Sequence, residues 1–171
     1  MSEKILFSDI RVEVIHEKHN VKTFQSHEFD LVDFLQKNAL DHRNKKFSVT
    51  FLWFYNSYLV SYITLLTDRI RLQGNLKLTF QEKGVYYPSL PALKIGRLCV
   101  HDTYQRKGLG TMMIYFAIEK AMEIVRDKAG CRFLTVDSKE NAVGFYEYFG
   151  FRILKRKANG TVIMYLDLLS L

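Results

Sequence analysis

Two apolar runs, Ala92 to His101 and Cys131 to Val136, flank a glycine turn (Gln105-Arg106-Lys107-Gly108-Leu109-Gly110) and a long amphipathic stretch. Leu109, Met113, Phe116, Ala117, Ala121, Ile124 and Val125 fall on one face at helical spacing, and Gly130 is placed to cap the end. The spacing therefore predicts a helix from Gly108 to about Ala129. Strand, helix and strand in that order form a crossover unit, which sets its two strands parallel. No other stretch restricts the fold as strongly.

The turn also carries chemistry. The first amides of a helix lack intrahelical partners and sit at the positive end of the helix dipole, so they favour anions. Gly108 and Gly110 let the backbone approach a phosphate with no Cβ in the way, and Arg106 and Lys107 add charge. This arrangement suits a pyrophosphate. A Walker loop would need Gly-Lys-Ser/Thr, but Gly110 is followed by Thr111-Met112. A dinucleotide fingerprint would need glycine or alanine at Met113 and an acid ending the next strand, where Asp137 does stand. A glycine-containing helix start that binds nothing is the remaining reading.

The rest of the chain reads as one α/β domain over residues 1–171. Arg11 to His16 alternates like a strand, and Ser26 to Arg43 reads as a helix with Phe29, Val32, Phe34 or Leu35, and Ala39 on its buried face. Phe47 to Tyr55 and Tyr58 to Leu66 form a hairpin around Asn56-Ser57. The pattern weakens from Thr67 to Leu90, and residues 67–91 read as an irregular insertion near a substrate cleft. Glu140 to Tyr148 is a short helix closed by Gly150. Phe151 to Leu154 and Thr161 to Leu168 form a last hairpin on a two-residue Asn159-Gly160 turn.

Composition narrows the class. Hydrophobic residues make up 48% of the chain, enough for its own core, yet no apolar run is long enough for a membrane span. Without a secretory signal, Cys99 and Cys131 read as reduced core residues of a cytoplasmic protein. The net charge of +7 suggests an anionic partner.

The Gln-x-x-Gly-x-Gly turn, preceded by Leu98-Cys99-Val100-His101-Asp102-Thr103-Tyr104, resembles the acetyl-CoA signature of the GNAT family of N-acetyltransferases. Asn141-Ala142-Val143-Gly144-Phe145-Tyr146 through Gly150-Phe151 resembles that family's second element, in the same order and at the same separation. The resemblance implies a mixed, mostly antiparallel sheet. The parallel unit would lie at its centre, splayed between the fourth and fifth strands, with helices on both faces. It also implies an enzyme that uses acetyl-CoA as cosubstrate and acetylates a primary amine by direct attack. Carried over, the backbone of Leu98, Cys99 and Val100 would bind the pantetheine arm and polarise the acetyl carbonyl. Gln105, Arg106, Lys107, Gly108, Leu109, Gly110 and Thr111 would hold the pyrophosphate, and Asn141 the cofactor arm. Tyr146 would serve the leaving sulfur as acid. A non-catalytic acyl-CoA-binding module is the alternative on the same scaffold.

The base is not identified by the sequence: Asp137, Glu140, Asp102 and His101 are all available. The run from Phe29 through Ala39 with its basic tail, and Leu93 to Val100 with Gly96-Arg97-Leu98, resembles the toxin-type branch, whose members acetylate aminoacyl-tRNA. That resemblance implies tRNA as a partner and is compatible with a homodimer. Arg97 interrupts an apolar strand, so it needs either a partner or solvent, and with Asp137 it is a candidate for the acceptor side. Protein and small-amine acceptors remain open.

Overall fold

The computed structural model describes residues 4–171. Its strands are β1 (Ile10–Val14), β2 (Val49–Tyr55), β3 (Tyr58–Arg71), β4 (Ser89–Val100), β5 (Phe133–Lys139), β6 (Arg152–Arg156) and β7 (Thr161–Asp167). The helices are α1 (Phe29–Lys37), α2 (Ala39–Asn44), α3 (Gly74–Glu82), α4 (Leu109–Asp127) and α5 (Val143–Tyr148). The strand order is β1-β2-β3-β4-β5-β7-β6, mixed α/β and mostly antiparallel, with β4 and β5 the parallel pair across the α4 crossover. The chain forms two compact units. One holds residues up to Leu66 together with Ile95–Ala117, and the other holds Thr67–Lys94 together with Ile118–Leu171. No helix of the described residues is long and apolar enough to cross a membrane.

In the first unit, β2 and β3 form the expected hairpin, with Tyr55 opposite Tyr58. Asn56 and Ser57 both take left-handed backbone angles, as the favoured two-residue hairpin turn requires. The expected single helix from Ser26 to Arg43 is two helices. Asn38, a weak helix former, sits at φ −117° between them, which lets Phe34, Leu35 and Ala39 all reach one core. That core includes Ile15, Phe24, Leu52, Tyr62 and Cys99. Phe29, expected on the buried face, is 80% exposed because it opens the helix. The Tyr62 hydroxyl donates to the Leu31 carbonyl at 2.7 Å, tying α1 to β3.

In the second unit, residues 67–91 are more regular than expected. β3 continues to Arg71, and α3 places Phe80 in a core with Ile70, Leu72, Ala92 and Phe133. The end of α3 is a six-residue glycine cap. Gly84 sits at φ +77°, its amide donates to the Gln81 carbonyl, and the Val85 amide donates to Phe80. Gly130 does not cap α4 with left-handed angles. The helix ends earlier, at Asp127, where the Lys128 and Ala129 amides both bond the Ile124 carbonyl. Val125, expected inside, is exposed. β5 starts two residues later than expected and runs on to Lys139. The last turn also differs. Only Gly160 is left-handed, and Lys157 to Gly160 make a four-residue loop in which the Lys157 amide bonds the Thr161 carbonyl. Both cysteines are buried.

Arg132 grips Asp167 with two hydrogen bonds, at 2.8 and 2.9 Å, while Asp167 also accepts the Leu169 amide. Burial alone would raise the Asp167 carboxyl, but Arg132 and the amide outweigh it and hold it below the usual carboxylate range. A carboxyl with a lowered folded-state pKa contributes stability above its unfolded value of about 3.9, and this is lost as pH falls through the folded value. Asp167→Asn should therefore lower the urea midpoint at pH 7, with the difference from wild type shrinking in acid, below the unfolded value. A gap of equal size at pH 7 and in acid would show that the ion pair contributes nothing.

Candidate functional site

The glycine turn lies in the first unit, and its shape is set a few residues upstream. The His101 amide bonds the Val60 carbonyl at 2.8 Å, which holds the end of β4 beside β3. A single 3-10 turn, Asp102–Tyr104, follows, capped by the His101 ring accepting the Thr103 amide. The Asp102 carboxylate then collects three donors: the His27 amide at 2.9 Å, the His27 ring at 2.9 Å and the Gln105 carboxamide at 3.0 Å. Burial alone would raise this carboxyl, but His27 outweighs it and the pKa is lowered. Asp102 is thus a structural anchor rather than a free base. His101 is likewise occupied as a cap, stacked edge-on against Phe24 and Tyr104.

Beyond Gln105 the chain reverses. Arg106 is left-handed at φ +59° and Gly108 at φ +91°. Leu109 is buried, which seats the start of α4. The Met112 amide bonds the Gly108 carbonyl at 3.1 Å, so the amides of Leu109, Gly110 and Thr111 precede the first helical hydrogen bond. The structure therefore brings Gln105 to Thr111 together around a helix start whose first amides lack intrahelical partners. Leu98 and Val100 are half-buried at the end of β4, with Cys99 in the core between them.

Two residues without any motif signal join this turn. The Ile5 amide donates to the Lys107 carbonyl at 3.2 Å, and the Ile5 side chain is buried. The Lys4 side chain lies so close to Gly108 that a Cβ there would stand 3.5 Å from Lys4 Cε. Sequence gave no hint of this, because the contact spans a hundred residues and depends on no pattern. Arg97 is exposed on β4. Its guanidinium lies 4.6 Å from the centre of the Phe34 ring and donates to the Gly96 carbonyl, so the charge is met by a ring face and solvent.

The remaining candidates belong to the second unit. Asp137 faces Lys94 at 3.0 Å and Lys157 at 3.4 Å. Burial would raise its carboxyl, but the two lysines outweigh this and keep it ionised. Glu140 pairs with Arg156. Asn141 is exposed in the 3-10 turn Glu140–Ala142. Tyr146 is buried in α5, its ring 5.2 Å from Phe145 and 5.5 Å from Phe151. Its backbone carbonyl accepts the Phe151 amide, and Gly150, at φ +87°, makes that return possible. Burial pushes the Tyr146 phenol up to about 12.

Among the described residues, Glu13, His16 and His19 gather three ligand atoms within 4.8 Å. The His16 amide donates to His19 Nδ1, so the His19 proton sits on Nε2 and points at Glu13, 2.7 Å away. That arrangement is a hydrogen-bonded clasp between the strand and the loop that follows it.

The acetyltransferase (GNAT) domain family matches residues 16–167. Solved structures share the fold. AtaT complexed with acetyl-methionyl-tRNAfMet matches with a TM-score of 0.81 at 19% identity, covering 95% of this chain and 96% of that one. AtaTR bound with AcCoA matches at 0.79 and 20%, covering 96% of each chain. A tyrosine-to-phenylalanine mutant of KacT matches at 0.81 and 21%, covering 95% and 96%.

The left-handed angle at Arg106 costs a side-chain-bearing residue on the order of 1 kcal/mol. Arg106→Gly should raise the melting temperature by about 2–4 °C, read by calorimetry. A lower melting temperature would mean that the arginine side chain itself holds the turn.

Proposed function

This chain belongs to the GNAT acetyltransferases, and on that premise we propose that it transfers the acetyl group of acetyl-CoA to the amino group of an aminoacyl-tRNA by direct attack. Acetyl-CoA is its cosubstrate. The observation that carries the donor half is the Gln105–Thr111 turn with its unpartnered helical amides. The acceptor is supported by the likeness, along nearly the whole chain, to AtaT complexed with acetyl-methionyl-tRNAfMet, and by the net charge of +7.

In this reading the amides from Arg106 to Thr111 take the pyrophosphate, and the backbone of Leu98 to Val100 takes the pantetheine arm and the acetyl oxygen. Negative charge grows on that oxygen as the amine attacks, so fixed donors there lower the barrier. Asn141 binds the cofactor arm. Tyr146 serves the departing sulfur. With a phenol near 12 and a thiol that is the stronger acid, full proton transfer to the departing sulfur would run uphill. Tyr146 therefore stabilises the thiolate by donating a hydrogen bond to it. The ionised, lysine-held Asp137 is a poor proton acceptor. An α-amino group, with a pKa near 8, needs less help than a lysine amine near 10.4.

Tyr146→Phe should lower turnover by roughly 10²–10⁴. In wild type the raised phenol pKa means the rate should not decline through pH 10. Unchanged turnover in the variant would remove Tyr146 from the reaction, and a falling limb centred near pH 10 would show that the phenol is not perturbed. The acceptor is checked with labelled acetyl-CoA offered to charged tRNA, lysine peptides and polyamines in parallel. Label is expected in charged tRNA, and label confined to peptides or polyamines would overturn the acceptor.

A further inference from the structure

On the second unit, the end of β3 and the loop after α3 frame a concave surface of about 660 Å³. Strand alternation builds one wall. Ile70 points into the core while Arg69 and Arg71, on either side of it, both stay exposed on the other face. Lys77, from α3, lines the same cavity. None of these three cations has an acidic partner among the described residues, and no acidic residue lines the cavity.

The opposite wall is aromatic. The glycine cap at Gly84 turns the chain out of α3, and the Leu72 amide bonds the Pro88 carbonyl at 2.9 Å. The segment between is held beside the strand end, leaving Tyr86 and Tyr87 at 75% and 71% exposure. Two adjacent tyrosine rings left in water are open to stacking by a partner. Flat rings beside unneutralised cations match a nucleic-acid strand, whose bases stack while its phosphates pair. An acidic peptide would use the cations, but it would want apolar sockets, and Leu72 lies buried beneath the surface.

We propose that this groove binds single-stranded RNA, with bases on Tyr86 and Tyr87 and phosphates on Arg69, Arg71 and Lys77. The choice of RNA over DNA rests on the aminoacyl-tRNA reading above, and the groove then supplies a docking surface for that acceptor. Arg97 and the glycine turn take no part in it.

The test is fluorescence anisotropy with a labelled single-stranded RNA of about eight nucleotides. The full chain is compared with Arg69→Ala/Arg71→Ala and Tyr86→Ala/Tyr87→Ala, each checked for an unchanged melting temperature. Either double variant should weaken binding about tenfold or more. The arginine variant should also flatten the dependence of log affinity on log salt by about 1.4, while the tyrosine variant should leave that slope alone. Wild-type affinity in both variants would overturn the groove, as would a polyglutamate peptide that binds there and displaces the RNA. Acetylation of charged tRNA, measured on the same proteins, separates the two readings. If tRNA is acetylated but both variants bind RNA like wild type, the groove falls and the function stands. If RNA binding is lost in the variants while wild type never acetylates charged tRNA, the function falls and the groove stands.

Discussion

The backbone amides offered by the glycine turn take their positions from Asp102, whose two carboxylate oxygens hold the His27 amide, the His27 ring and the Gln105 side chain at once. A turn with two left-handed residues has many alternatives in water. Fixing its entry to the segment before α1 removes most of them. The Ile5 amide on the Lys107 carbonyl fixes the middle, and the buried Leu109 fixes the exit. Preorganisation of this kind lets backbone dipoles meet an anion without being reordered on binding. Gln105, the first residue of the signature, is itself tied to this anchor through its carboxamide.

One backbone device appears twice in the second unit, with different results. At the end of α5, Gly150 returns the chain so that the Phe151 ring packs on Tyr146, and burial there raises the phenol pKa. At the end of α3, Gly84 makes the same hydrogen bonds, but two exposed tyrosines follow. The same cap buries an aromatic residue in one place and presents two in the other. The residues after the glycine decide which occurs.

Features written in local pattern were readable from the sequence: the crossover around α4, the β2–β3 hairpin, the glycine turn and the Tyr146 helix. Each rests on spacing between neighbouring elements. Where local signals were weak or competed, the reading failed. Asn38 breaks a helix that periodicity alone would continue, and Asn159-Gly160 has the composition of a tight turn but closes a wider loop. In residues 67–91, the charges hid a helix that buries little beyond Phe80. Contacts across the chain left no local trace, which is why Lys4, Ile5 and the anchoring role of Asp102 were invisible. Arg97 was half legible: its need for solvent or a partner was plain, but the Phe34 ring beneath it was not.

Trp53, the only tryptophan of the chain, is fully buried between Phe7 and Phe116, and its indole N–H has no hydrogen-bond partner among the described residues. A dry indole emits toward the blue and shifts to the red when water reaches it. The first unit therefore carries its own optical reporter, while the second, which holds Tyr86, Tyr87, Tyr146, Tyr148 and Tyr165, carries only tyrosines. Tryptophan emission followed in a melt reports the first unit alone, while far-ultraviolet circular dichroism reports both, because the tyrosines divide five and five between the units. Coincidence or separation of the two signals states whether the chain melts as one cooperative body or as two.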